Sequence, residues 1–297
     1  MGRFWKYAPA LGAAFTAQAF SLASAHGLAA PGGPWRPDWL LVSNVLVVMA
    51  AFVGLNAWLQ ARHPARAPGR RRVGLWLAGM LVAGLATASP LDALADQLFS
   101  LHMTQHTLLV LLAAPLLAYA VPDSWLPAWP AGNPVDSWFL ATGVFAAWHF
   151  PILYLAALNS EAIHAVEHLS MLVTAMAFWW AFRRLEGAGG VLYLFTSMLA
   201  GSALGALFTF SNVLWYPVYD VTAPAFGLSG LQDQQLAGLV MWSPGSLVYL
   251  LVAAVSFNAW LLADRPVGTW TASGRPLESR PVPLPLDAPR RARGGRP

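Results

Sequence analysis

The chain alternates between long apolar runs and short polar or basic ones, and no run keeps a period of two. Seven runs approach the roughly 20 residues that carry a helix across a bilayer. They fall at about 39–60, 73–89, 98–121, 137–158, 162–182, 190–211 and 235–262. Unbroken apolar runs exclude a β-barrel, whose strands alternate. Upstream, Arg3 and Lys6 precede an apolar stretch from Ala8 to Leu22, and Ala23-Ser24-Ala25 has the small-x-small form of a cleavage site. Residues 1–25 therefore read as a signal peptide or an extra N-terminal helix. The expected fold is all-α: a polytopic membrane helix bundle of seven transmembrane helices after that segment, with the membrane domain at 26–263. Prolines 115, 151 and 244 are expected to kink their helices. Gly201-x-x-x-Gly205 is expected to serve close packing within the chain. Residues 264–297 carry seven prolines and seven arginines with almost no apolar periodicity, and read as a disordered basic tail.

Composition agrees. The chain is 57% hydrophobic and 10% charged, against about 25% charged in soluble domains. Its net charge of +4 does not point to nucleic acid, because the basic residues sit in a few places that read as topology signals. Arg62, Arg66, Arg70, Arg71 and Arg72 follow the first run, Arg183 and Arg184 follow the fifth, and the basic tail follows the seventh. With seven spans these segments share one side, the cytoplasmic one, so the N-terminus is expected outside and the C-terminus inside.

Histidines carry the candidate chemistry. His102 and His106 open the third run, His164 and His168 open the fifth, and His149 lies on the fourth before Pro151. Residues four apart share a helix face. At 1.5 Å per residue, all five fall within about 13 Å of the outer ends of their helices. One intramembrane histidine is readily explained by an interhelical hydrogen bond. Five at one depth, in a medium where ionisable groups are costly, point instead to a metal or haem site.

The absence of cysteine excludes thiolate ligation and disulfides. Imidazole suits copper, zinc, iron and haem, while Met103 and Met241 offer thioethers for Cu(I). His26, if left as a new N-terminus by cleavage, would chelate Cu(II). Asp92, Asp96, Glu167 and Asp233 are candidates for orienting the imidazoles from outside the ligand set, with helix capping as the alternative. A metal carrier needs an exit route, and a cluster open to water at the outer face is expected to provide one.

Several motifs resemble the CtaG family of multi-span cytochrome c oxidase assembly factors. They are Ser89-Pro90-Leu91-Asp92, His102-Met103-x-Gln105-His106 with Ala113-Ala114-Pro115-Leu116, Trp148-His149-x-Pro151, His164-x-x-Glu167-His168, Asp233-Gln234-Gln235 and Met241-Trp242-x-Pro244-Gly245. Two positions depart from the family pattern: Gly230 where proline is expected, and Met171 where phenylalanine is expected. The resemblance implies a non-enzymatic role in maturation of a haem–copper oxidase in the bacterial plasma (inner) membrane. It implies delivery or holding of copper at the outer face, with oxidase subunits or other assembly factors as partners. Its histidine motifs carry over onto His102, His106, His149, His164 and His168. A haem-binding electron-transfer protein of the membrane is the alternative.

Overall fold

The computed structural model describes residues 39–64, 67–122 and 133–263. The signal-like segment, His26 and the basic tail lie outside the described residues. Among those described, all regular structure is helical: α1 (Trp39–Arg62), α2 (Arg70–Thr87), α3 (Pro90–Ala95), α4 (Phe99–Leu108), a π turn (Leu109–Ala113), α5 (Ala114–Ala120), α6 (Pro134–Trp148), α7 (Pro151–Leu158), α8 (Glu161–Phe182), α9 (Gly187–Phe210), the short α10 (Tyr219–Thr222) with a 3₁₀ turn (Ala223–Phe226), and α11 (Gly230–Ala263). One compact unit runs through Phe257, and Asn258–Ala263 end α11.

Five helical stretches are long and apolar enough to cross a membrane: Val42–Arg62, Phe99–Ala120, Glu161–Phe182, Gly187–Phe210 and Gly230–Leu262. A sixth arises if α6 and α7 are taken as one span bent by 70°. The expected seventh corresponds to α2, whose 18 residues begin with three arginines. The remaining 18 − 3 = 15 residues reach about 22 Å, short of the roughly 30 Å hydrocarbon core.

The prolines act in three ways. Pro151 has no N–H to give to Ala147, and its ring clashes there, so the fourth run breaks into α6 and α7 rather than kinking. Pro115 follows the π turn, which widens the helix ahead of it and redirects carbonyls. The Val110 carbonyl there accepts the Trp179 indole N–H at 2.9 Å. Pro244 sits inside α11, which continues through it.

Helices α9 and α11 come close at a pair of glycines. A Cβ on Gly205 would lie 2.9 Å from the Gly238 carbonyl, and one on Gly238 would strike the Gly205 carbonyl and Thr209 backbone. Gly205 therefore serves α9–α11 contact within the chain. Gly201 has open space around it.

Helix α8 runs through the core. Its C-terminal half packs Phe178, Trp179, Trp180 and Phe182 against Leu111, Ala114, Tyr193 and Leu194. Arg183 Nη1 ends that packing by donating to the Ala118 and Val121 carbonyls at 2.7 and 3.3 Å, where the helix formed by α4, the π turn and α5 terminates.

Candidate metal centre

Helix α4 carries His102 and His106. It is held by Asp233 of α11, which accepts from Phe99 N at 2.6 Å, Ser100 N at 3.1 Å and Ser100 Oγ at 2.5 Å. Asp233 is thus an N-terminal cap supplied from another helix, neutralising orphan N–H groups. Gln105, between the two histidines, donates to Asp92 Oδ1 at 2.8 Å and to the Ala86 carbonyl at 2.7 Å. Asp92 thus helps to fix the rotation of α4 through Gln105. Asp96 is the C-cap of α3.

Helix α8 brings His164, Glu167 and His168, at spacings of three and four, onto one face. The break at Pro151 leaves His149 as the C-cap of α6, at φ −87°, ψ 0°. Its carbonyl accepts from Tyr216 Oη at 2.6 Å.

The five histidines converge. Ring centroids are 4.6 Å apart for His102–His106, 5.2 Å for His102–His164, 5.8 Å for His102–His168, 5.2 Å for His106–His168, 4.3 Å for His164–His168 and 5.6 Å for His106–His149. Two imidazoles that share an ion at about 2.0 Å place their centroids roughly 5–6 Å apart, so most of these pairs have ligand spacing.

Glu167 stands in the middle. It is fully buried, and its carboxylate lies 3.7 Å from His102 Nε2, 3.7 Å from His106 Nε2 and 4.0 Å from His164 Nε2. Neither of its oxygens, and neither ring nitrogen of His106, has a hydrogen-bond partner among the described residues. An isolated carboxylate without hydrogen bonds costs several kcal/mol in such a place. One donor atom each from His102, His164, Glu167 and His168 lies within 4.8 Å of the others. Ligands tetrahedrally disposed about one ion at about 2.0–2.1 Å are about 3.4 Å apart, so a small inward adjustment suffices. The donor set fits a metal ion. Glu167, expected to act on the imidazoles from outside, offers a carboxylate oxygen to this four-residue group, and the H-x-x-E-H spacing was its signal.

The cluster is enclosed rather than open to water. His102, His106 and His149 are at most 2% exposed, while His164 and His168 reach 5% and 7%. Aromatic residues cover it. Tyr154 stacks edgewise on His102 at 5.0 Å and shares a 2.6 Å hydrogen bond with Tyr219. Tyr219 in turn donates to the Ala95 carbonyl at 3.4 Å. Phe99 touches Tyr154, Tyr216 and Tyr219. Burial pushes the Tyr216 and Tyr219 phenols up, so both stay protonated at physiological pH. Sequence reasoning missed this tyrosine cover, because the 211–229 segment has no periodicity that assigns it a partner. A cavity lined by Thr107, Met171, Met198, Met241 and Tyr249 among others touches none of the histidines.

Met103 is fully buried and faces His149, whereas Met241 packs in the same apolar cluster. Gly230, the first departure from the expected motif, donates its N–H to Asp220 Oδ1 at 3.1 Å. A Cβ there would lie 2.8 Å from Asp220 Cα, and proline has no N–H to give. The Met171 departure lines the cavity.

A family model described as cytochrome c oxidase caa3 assembly factor (Caa3_CtaG) matches residues 50–263. The chain belongs to this family. The Caa3_CtaG match contains all five clustered histidines and Glu167, and it indicates a cytochrome c oxidase assembly factor in a multi-helix membrane protein. Among curated proteins, the chain is 25% identical over 269 residues to uncharacterised proteins of Mycobacterium bovis and Mycobacterium tuberculosis. It is 22% identical over 268 residues to one of Mycobacterium leprae. The matches cover 78–79% of this chain but 40% of those proteins, so the chain spans well under half of their length. No solved structure matches it.

Proposed function

We propose that this chain holds copper as cargo during maturation of a haem–copper oxidase, through His102, His164, Glu167 and His168 with His106 beside them. The observation that carries this reading is Glu167: a fully buried carboxylate with no hydrogen bond to either oxygen among the described residues, ringed by three imidazole nitrogens at 3.7–4.0 Å. A cation is the group that such a carboxylate and three neutral imidazoles are jointly built to stabilise. Three nitrogens and one oxygen suit a borderline divalent ion such as Cu(II), and the oxidase context given by the family favours copper over zinc or iron. The five rings pack against one another at 4.3–5.8 Å, which favours a bare ion over haem, whose macrocycle needs a wide slot between axial ligands.

In this reading α2 and the bent α6–α7 pair complete seven spans. The N-terminus is outside, the C-terminus is cytoplasmic in the plasma membrane, and the cluster sits in the outer half. His164 and His168, the two rings with residual exposure, form the side through which cargo passes to oxidase subunits docked in the bilayer. The role is one of binding and transfer, with no catalytic step.

The test is the double variant His102→Ala/His106→Ala in cells with a haem–copper oxidase as the measured client. Copper per purified protein and cytochrome oxidase activity of the membranes are expected to fall together, with protein level near wild type. Interhelical hydrogen bonds of structural histidines are worth only about 0.6–2 kcal/mol. Unchanged copper content and unchanged oxidase activity would therefore reject the reading.

A further inference from the structure

His149 stands apart from the four-donor group, and its two ring nitrogens explain why. Nδ1 lies 2.6 Å from the Phe145 carbonyl, one turn back in α6. A carbonyl only accepts, so Nδ1 carries the proton, and the neutral ring presents a lone pair at Nε2. That lone pair points at Met103 Sδ, 3.1 Å away. A thioether has no hydrogen to donate, so two acceptors face each other inside the protein. The ring is 2% exposed and Met103 is fully buried, so water has little access to the pair. A second proton on Nε2 would make a buried cation donating to a weak acceptor, a poor exchange.

We infer that His149 Nε2 and Met103 Sδ form a second metal site, selective for a soft monovalent ion of the Cu(I) or Ag(I) class. His106 completes it. Its centroid is 5.6 Å from His149, within the spacing of two imidazoles on one ion, and its ring nitrogens have no hydrogen-bond partner among the described residues. The span fits: bonds of roughly 2.0 Å to nitrogen and 2.3 Å to sulfur subtend about 90° at 3.1 Å, and a tetrahedral angle at about 3.5 Å. The helix break positions the pair, because Pro151 ends α6 at His149 and frees its carbonyl for Tyr216. The two sites differ in softness. Thioether and imidazole select Cu(I), whereas the carboxylate-containing group selects a divalent ion. This inference deepens the copper reading but rests on a different residue pair.

The experiment uses the full-length protein in detergent, loaded separately with Cu(I) under reducing conditions and with Cu(II), and read by X-ray absorption at the copper edge. The chain has no cysteine, so any copper–sulfur scattering comes from methionine. The Cu(I) sample is expected to show a sulfur shell near ~2.3 Å, and the Cu(II) sample only nitrogen and oxygen. Met103→Leu keeps the volume. It should remove the sulfur shell and weaken Cu(I) binding roughly tenfold or more, while Cu(II) stoichiometry stays at the wild-type value. A Cu(I) spectrum without sulfur in the unaltered protein overturns the soft site, and so does a sulfur shell that survives in Met103→Leu. Loss of Cu(II) binding alone in Glu167→Gln leaves this site standing. Absence of Cu(II) binding in wild type overturns the reading under Proposed function, while a sulfur-bound Cu(I) would still support this one. Failure to bind copper in either state rejects both.

Discussion

Both halves of α8 bury polar groups, and they satisfy them in opposite ways. In the C-terminal half, Thr174 donates to the Ser170 and Met171 carbonyls and Trp179 to Val110, while Arg183, the C-cap, donates to Ala118. In the N-terminal half, Glu167 has neither oxygen hydrogen-bonded among the described residues, although three imidazoles surround it. A helix selected only for packing would treat both halves alike, since buried polar groups without partners are rare and costly. Under the proposed copper reading, the N-terminal half gives up stability for a ligand.

The sharpest way to break this comparison is to substitute one group in each half. Glu167→Gln should cut divalent copper binding more than roughly tenfold. It should leave the thermal midpoint of the metal-free protein equal or higher, because it removes a buried carboxylate that has no hydrogen bond among the described residues. A lower midpoint without loss of metal would make Glu167 a structural residue. Trp179→Phe should do the reverse. It strands the Val110 carbonyl and should lower stability by about 1–3 kcal/mol in denaturant titration, with copper content unchanged.

Further effects should grade downward. Gly238→Ala forces a Cβ against the Gly205 carbonyl and Thr209 backbone, and overpacking of this kind costs about 1–3 kcal/mol, measurable as reduced thermal stability without selective loss of metal. Asp233→Asn keeps one acceptor for the α4 N-terminus but loses the charge. A cost of about 1 kcal/mol is expected, with a weakening of copper affinity of tenfold or less because α4 loosens. Asp92→Asn retains an acceptor for Gln105 and should stay within about 0.5 kcal/mol of wild type. A large loss of metal there would move Asp92 into the ligand environment.

Much of this was legible in the sequence. Apolar run length located the helices within a few residues, because lipid forces every backbone polar group into intra-helix bonds. The count was harder, since α2 begins with three arginines and the fourth run breaks at Pro151, and run length alone reads each as a full span. The histidine cluster followed from spacing and depth. The central place of Glu167 lay in the same spacing, but a carboxylate beside a histidine reads as an orienting group until three nitrogens are seen around it. Asp233 and Phe99, 134 positions apart, and the tyrosine cover from the 211–229 segment are contacts that no local pattern encodes. Met103 opposite His149 depends on a helix break whose angle the sequence does not specify.

The most direct test of the central claim is where a divalent ion sits. A structure of the Cu(II)-loaded protein, with an anomalous difference map at the copper edge, is predicted to show a peak about 2.0–2.2 Å from donor atoms of His102, His164, Glu167 and His168. A saturated sample with no density among those four residues, and copper held elsewhere on the chain, would contradict the account.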